Sequence, residues 1–519
     1  MARGLVEKAL AGIATHLAER RVARSNSSRT VTQKRTEYFA GAANSRLTMD
    51  WQSSGMAPDQ ELRYSLRQLR DRARDLERNN PATRNFLRLL ATNVIGPNGV
   101  RMQARVKDNS GNLSTRINDR IEEGWREWSL DPMLDQTRDL SSFSRLLLKS
   151  TARDGDIAVR LWRDPDRRLN EFGLALEPID ADLIDESLNR EASTDGNPIR
   201  MGVEYNDLGR KVAFHVWNRP QTYGGPERKR ERIPADQIIH LLDGDRVGQS
   251  RGATWLASVL MALKMIGGMN EAELVASRTS ASKMGFYQKR ESQGPVGSVE
   301  GDENGDFVMD ANPGTFGIIP SGYELAEFSP DHPSSAYSAF LKSQLRDVSM
   351  GVGCSYNGLA NDLEGVNYSS LRSGQLKEND VWSSIQQWWI GIFLRRVYSE
   401  WLNMALLTGA VTLDSRDVRK FRAVQWYPRG WMWVDPYKDT QASVLGLQNG
   451  LTSRTEILAE QGRDFETVAK NLAEEKRIAD ELGITIAGAT IAPPADPEDD
   501  PDDEDDDEEV GEPKAKAKS

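Results

Sequence analysis

An α+β fold is what this sequence predicts, on three observations. Between Pro333 and Pro428 the chain runs 94 residues without proline, and helical periodicity fills both sides of one short polar loop in that run. From Asp156 to Leu242 the pattern changes to short β segments separated by turn residues. Residues 285–331 are rich in Gly and Pro and carry further short β segments between two long helical stretches.

In chain order, Arg63 to Arg78 reads as a highly charged helix with Leu66, Leu69 and Leu76 on one side. Its arginines Arg63, Arg67, Arg70, Arg72, Arg74 and Arg78 are offset by Asp71, Asp75 and Glu77, so a solvated face is the expectation. Asn79-Asn80-Pro81 stops that helix, and Pro81 opens the next, which runs to Val94. Gly96-Pro97-Asn98-Gly99 is a turn before a strand at Val100–Val106, and helices follow at Ser114–Ser129 and Phe143–Thr151. Strands are expected at Ile157–Trp162, Gly173–Glu177, Met201–Tyr205, Lys211–Trp217 and Gln237–Leu242, with a hairpin turn at Asn206-Asp207-Leu208-Gly209.

A helix at Thr254–Ala281 has Gly267-Gly268 as its expected kink. The insertion that follows carries β segments at Phe307–Met309, Thr315–Ile319 and Tyr323–Phe328. Helical periodicity then runs from Ala336 to Met350 and again from Ser369 to Leu407. If continuous, the second stretch is roughly 58 Å long; the alternative is a pair of core helices broken at Gly374 or Gly391. Between them lies the loop Cys354–Tyr368. Strands are expected near Val411–Leu413 and Ala423–Tyr427. Asp435-Pro436 opens a helix closed by Gly450, Ser453–Glu456 fits a capping box, and Asp464 starts a final helix ending near Gly483.

Composition bounds the function. The chain has 519 residues, 38% of them hydrophobic and 28% charged, enough for two to four domains at roughly 150 residues each. One cysteine, Cys354, excludes an internal disulfide and points to a reducing compartment. No apolar run reaches the ~18 residues of a membrane span, and the interrupted stretch Leu5–Leu17 does not read as a secretory signal. The net charge of −11 is concentrated at one end: 13 acidic residues from Asp496 to Glu512, against three lysines beyond, leave residues 1–495 at a net −1. Such a tail is expected to be solvated and disordered, and the basic start, eight Lys or Arg against three Glu in residues 1–40, reads as a flexible arm.

Motifs for chemistry are few. His16, His215, His240 and His332 show no metal-ligand spacing, and with one cysteine neither a metal nor a cofactor site is expected. Asp302, Asn304 and Asp306 mimic the start of a calcium loop, but Phe307 and Pro313 stand where Gly and Glu are needed. Gly248-Gln249-Ser250-Arg251-Gly252 satisfies Gly-x-Ser-x-Gly, which makes Ser250 the one nucleophile candidate, with His332 as the only downstream base. Against it, the strand should end near Leu242, too early to run straight into the turn. The alternative is that Gly248 and Gly252 allow a tight entry into the helix beginning near Thr254.

Taken together, "RNNPATRNFLRLLATNVIGPNGVRMQA", "ARDGDIAVRLW", "IIHLLDGDRVGQSRGATWLASVLMALKMI", "GVGCSYNGLANDLEGVNYSSLRSG" and "GLTSRTEILAEQGRDFETVAKNLAEE" resemble the lambda-type portal proteins of tailed bacteriophages, from about residue 60 to about 485. The resemblance implies a portal fold and no enzymatic activity. It implies a dodecameric ring at one capsid vertex, through which a terminase drives double-stranded DNA in during packaging and through which the genome later leaves. On it, 60–251 and 409–434 form an α+β wing, 252–284 and 333–353 two stem helices, and 285–332 the β-containing clip. Residues 354–368 become the tunnel loop, 369–408 the long tunnel helix and 435–484 the helical crown, with 1–59 a basic arm and 485–519 the acidic tail. The implied partners are further copies of the chain, DNA, the terminase large subunit, and capsid and head-completion proteins, in the virion and, during assembly, the host cytoplasm; no membrane is implied.

Asn361, Asp362, Glu364, Asn367 and Tyr368 are then the candidate channel-lining residues, and the absence of Lys or Arg from Met350 to Leu371 fits a lining that does not grip phosphates. The resemblance gives the acidic tail no role. The alternatives are a serine hydrolase using Ser250, or a scaffold protein of a particle without a channel.

Overall fold

A computed structural model describes residues 55–108, 110–193, 196–218, 228–281, 285–289, 323–327, 335–413, 418–431 and 436–483. The expected strands at Phe307–Met309 and Thr315–Ile319, the acidic turn at 302–306, His16, His332, Asp435, residues 1–54 of the N-terminal arm and the acidic tail lie outside them. The chain forms two compact units. The small one includes helix α1 (Pro58–Leu62) and residues 245–249, in which Arg246 pairs with Glu61 at 2.5 Å.

The large unit starts with α2 (Leu66–Asn79), α3 (Pro81–Val94), strand β1 (Arg101–Ala104), α4 (Thr115–Leu130) and α5 (Leu140–Asp154). Asn80 caps α3 by accepting from Thr83 N at 3.1 Å, and Pro81 takes the first helical position, where its missing N–H costs nothing. Then come β2 (Asp156–Arg163), β3 (Leu174–Ile179), β4 (Ile199–Arg200), β5 (Val203–Tyr205), β6 (Lys211–Trp217), β7 (Arg230–Pro234) and β8 (Ile238–Leu242). These strands form two antiparallel sheets, ordered β3-β2-β8 and β4-β5-β6-β7.

The first sheet divides two hydrophobic cores because side chains alternate across it. Ile157, Val159 and Leu161 of β2, with Ile239 and Leu241 of β8, face the larger core; Ala158 and Ile238 face the smaller, with Val203, Phe214 and Ile233. The β5–β6 turn is as expected: Asn206 Oδ1 accepts from the N–H groups of Leu208 and Arg210, and Gly209 has φ +71°.

Helix α6 (Leu260–Ala281) runs through Gly267-Gly268, the expected kink position, without a break. It is followed by β9 (Gly285–Lys289), which pairs antiparallel with β10 (Tyr323–Glu327), and by α7 (Ser335–Val352). The polar loop beyond is not purely loop, since Tyr356–Ala360 makes one helical turn, α8. Then α9 (Tyr368–Trp389), a π turn (Ile390–Leu394) and α10 (Arg395–Thr408) form one uninterrupted helical stretch. Gly374 does not break it, and Gly391 lies inside the π turn.

The π turn has a packing reason. Trp389, Phe393, Val397, Trp401 and Ala405 are buried at strict four-residue steps. In an α-helix such a row drifts about 40° per step, and one wider turn takes up part of that drift. The buried half packs into an aromatic cluster in which Trp125 meets Trp401 edge-on at 5.3 Å and Tyr398 at 5.5 Å.

Val411–Leu413 is not a strand: Val411 is buried against the face of α4 at Gly124, where an added Cβ would sit 2.8 Å from its side chain. Strand β11 (Val424–Tyr427) pairs with β1. The chain closes with α11 (Pro436–Gln448), α12 (Arg454–Glu460) and α13 (Phe465–Leu482). The Ser453/Glu456 capping box, the Asp464 cap and left-handed Gly483 all stand as expected. No described helix is long and apolar enough to cross a membrane.

The charged helix α2 departs from expectation. Arg70 is 1% exposed and pairs with Asp182 at 2.5 Å, while Arg74 binds Asp154 at 2.8 Å, Asp180 at 3.0 Å and also Asp182. The acidic side chains come from α5 and the turn after β3, so this face of α2 is an internal ion-pair joint and not a solvated surface.

Candidate functional site

Two places carry the chemistry singled out above, the 248–252 motif and the 354–368 loop. In the motif, Ser250 is fully buried and its Oγ accepts a hydrogen bond from Tyr205 Oη at 2.8 Å. A nucleophile elbow must expose its hydroxyl to substrate, and this one is capped by a phenol. Gly252 is required by proximity: a Cβ there would lie 2.0 Å from the carbonyl oxygen of Gly155. The motif therefore locks the chain against the α5–β2 junction and does not lead tightly into a helix, since α6 begins only at Leu260.

Arg251, also fully buried, grips Asp156 through Nε at 2.6 Å and Nη2 at 3.1 Å, and donates to Ala181 O at 2.9 Å. Asp156 also receives His240 Nε2 at 3.0 Å, and Lys211 Nζ stands 2.8 Å from His240 Nδ1. A neutral imidazole protonated on Nε2 satisfies both neighbours, donating to the carboxylate and accepting from the ammonium. Burial, then the Lys211 charge, pushes His240 down to about 4. Burial opposes the Asp156 charge, but Arg251 and then His240 hold it well below the usual carboxylate range.

A stability prediction follows from the imidazole. In the unfolded chain His240 binds a proton near pH 6.5, in the folded chain only near pH 4, so stability falls as pH drops between them, by ~3 kcal/mol in full. Asp156 stays ionised through that window. Urea midpoints at pH 7 and pH 4.5 should differ more in the wild type than in His240→Gln; equal shifts would remove His240 as the source.

The 354–368 loop is held at both ends. Ser355 caps α8 by accepting from Gly358 N at 3.1 Å, and Asn85 Nδ2 donates to Gly358 O at 2.9 Å and Leu359 O at 2.8 Å. Leu359 is buried, as is Cys354, whose thiol burial and then Glu378 push up to about 12. Asn361 ends α8 in the left-handed conformation with φ +52°. Asn367 caps α9, its Oδ1 accepting from Ser370 N at 2.8 Å and Ser370 Oγ at 2.5 Å. Tyr368 is the first residue of α9, and its side chain lies outside the described residues.

Of the five candidates, Asp362 and Glu364 come together: Asp362 Oδ1 accepts from Glu364 N at 3.0 Å, and Lys342 Nζ lies 3.5 Å from Asp362 and 2.6 Å from Glu364. Tyr356 Oη donates to Asp362 at 2.7 Å, and the Arg346 guanidinium lies over the Tyr356 ring at 5.3 Å. The Tyr356 hydrogen bond, then the Glu364 N–H, hold Asp362 below its ordinary value.

Sequence reasoning missed Lys342 and Arg346. It searched the loop for cations, whereas these stand on α7, about three and two turns before the loop begins. Their four-residue spacing put them on one helix face, and that was the available signal. The two carboxylates of the turn thus share one cation, Lys342, while Arg346 reaches the Tyr356 ring that donates to Asp362. Among the described residues no group of three or more His, Cys, Asp or Glu is arranged to hold a metal ion.

The site is thus a polar turn on a long helix beside a helix–hairpin–helix segment, and comparison with known proteins names its class. Residues 44–386 match the family described as "Phage portal protein, lambda family", and the chain belongs to it. Among relatives, it is 33% identical over 461 residues to the "Probable portal protein" of Halomonas phage phiHAP-1, covering 86% of this chain and 88% of that one. It is 23% identical to "Portal protein B" of Escherichia phage lambda, over 76% of this chain and 81% of the relative. Among solved structures, a chain of "Neck of empty GTA particle computed with C6 symmetry" aligns with a TM-score of 0.42 at 12% identity, covering 81% of this chain and 99% of that one.

Proposed function

We propose that this portal protein closes into a ring whose central hole passes double-stranded DNA into and out of the capsid, with no enzymatic step of its own. In this reading α6 and α7 are the stem and β9–β10 belongs to the clip that meets the terminase and later the head-completion proteins. The turn Asn361–Val366 faces the channel, and α11–α13 form the crown. The twelve-fold ring and its place at a capsid vertex belong to the same proposal.

The observation that carries it is a pair of exposed seams on the α6/α7 hairpin. On α6, Met261, Met265, Gly268, Ala272 and Val275 are all exposed and alternate at four- and three-residue steps. On α7, Ala336, Phe340, Ser343, Asp347 and Met350 do the same. Heptad spacing is what a helix uses to seat against another helix, and two different seams on one protomer suit a head-to-tail contact that closes by rotation. Lys264 beside the first seam and Asp347 within the second supply opposite charges for register. The buried state of Ser250 speaks against the hydrolase alternative, and membership of the portal family against a particle scaffold without a channel.

Electron microscopy of the purified full chain with native mass spectrometry tests the reading. Closed rings with a hole of roughly 20 Å or more are expected, wide enough for a duplex whose major groove alone is about 12 Å across. Met265→Glu, an exposed and fold-neutral change, should reduce ring yield on the order of tenfold while leaving the monomer folded, since a buried unpaired charge costs well over the 1.4 kcal/mol of one decade. Rings unaffected by Met265→Glu would remove this seam from the interface.

A further inference from the structure

The turn between α8 and α9 is fastened at its ends and held in the middle by few contacts. Leu363 is 63% exposed, Asn361 and Gly365 are both left-handed (φ +52° and +71°), and a Cβ on Gly365 would meet nothing within 4 Å. Among the described residues, Asp362–Glu364 are tied to the rest of the protein by the hydrogen bond from Tyr356, the Lys342 ion pairs and a long backbone hydrogen bond from Val366 N to Leu363 O at 3.4 Å. The Glu364 side chain is 80% exposed, so its ion pair is screened by solvent and easily exchanged.

We infer that Lys342, with Arg346 one turn along α7, is a phosphate-exchange clamp. Without DNA beside it, the Lys342 ammonium sits between Asp362 and Glu364 and pins the turn against α7. When a duplex backbone comes alongside, a phosphate oxygen takes the ammonium and the turn is released to swing about Asn361 and Gly365. One charge-assisted hydrogen bond to an oxyanion replaces another, and counterions released from the duplex favour the exchange. Any phosphate that gains Lys342 also meets the two freed carboxylates, whose repulsion keeps the exchange brief.

The inference rests on the channel reading only for the source of the phosphates, and its test separates the two. A spin label on Leu363→Cys reports the turn, because Cys354 is buried with its thiol pushed up and does not compete for reagent. In the otherwise native full chain the label should be restrained, and Lys342→Gln should raise its mobile fraction severalfold. A short DNA duplex at low salt should raise mobility in the Lys342 protein and add nothing in Lys342→Gln.

An unchanged label in Lys342→Gln overturns the clamp, and that comparison needs no ring. Release by sodium chloride alone, with no response to duplex at matched ionic strength, overturns phosphate exchange. Rings seen in the same sample with an unresponsive label would leave the portal channel standing and the clamp refuted.

Discussion

Replacing Arg251 with methionine is expected to destabilise the protein by about 3–5 kcal/mol, because it leaves Asp156 as a buried charge without its cation. Both side chains are 0% exposed, and the guanidinium spans three segments at once: Asp156 at the start of β2, Ala181 O in the turn after β3, and the 248–252 motif that contains it. The loss should be larger than that of Ser250→Ala, where the neutral hydrogen bond from Tyr205 is worth about 1 kcal/mol. Changing both members, Asp156→Leu with Arg251→Met, should recover part of the loss, since the burial penalty of two ions goes with the pair. Urea unfolding of the four proteins checks this. A loss under 1 kcal/mol for Arg251→Met would mean that Asp156 takes up a proton, or reaches solvent, at little cost.

The motif around Arg251 also shows which parts of this fold could be read from sequence. Signals written within a few residues were legible. Asn80-Pro81, Ser453 with Glu456, Asp464 and Gly483 all bound their helices as expected, because capping is settled between a side chain and N–H groups three residues away. Signals that depend on distant partners were not. Arg70 looked like a surface arginine until Asp182, 112 positions on, was placed beside it.

Strand β7 was missed because Arg230-Glu231-Arg232 reads as solvated chain, yet it pairs along β6, and its Arg232 is bound by Glu204 at 2.8 Å. Val411–Leu413 erred the other way, with strand-like residues on an irregular segment whose burial comes from α4. At the candidate site the acidic residues were legible and their counter-ion Lys342 was not, since nothing in the loop's own sequence says that α7 folds back beside it.

The second large effect is expected in the aromatic core that roots the long helix. Trp401 is fully buried on α10 against Trp125, Tyr398 and Phe172, so Trp401→Ala should cost about 3–5 kcal/mol. Its indole Nε1 meets no hydrogen-bond acceptor among the described residues, whereas that of Trp128 donates to Leu174 O at 2.9 Å. Phenylalanine should therefore be tolerated better at 401 than at 128, where it removes one of two hydrogen bonds to Leu174 O and leaves that from Asn170 Nδ2 at 2.7 Å, by a margin of about 1 kcal/mol. Equal losses at the two positions would mean that ring volume alone decides.

The position of this cluster gives the comparison its functional reach. From Trp382 to Thr408 the helix is anchored by buried aromatics, while the first half of α9 has no buried residue among those described and starts at the turn that Lys342 holds. Loosening the root at Trp401 should therefore lower ring yield through stability without changing the restraint of a label at Leu363 in the protein that remains folded. A mobile label in folded Trp401→Ala would instead show that root and turn move as one rigid lever through the π turn.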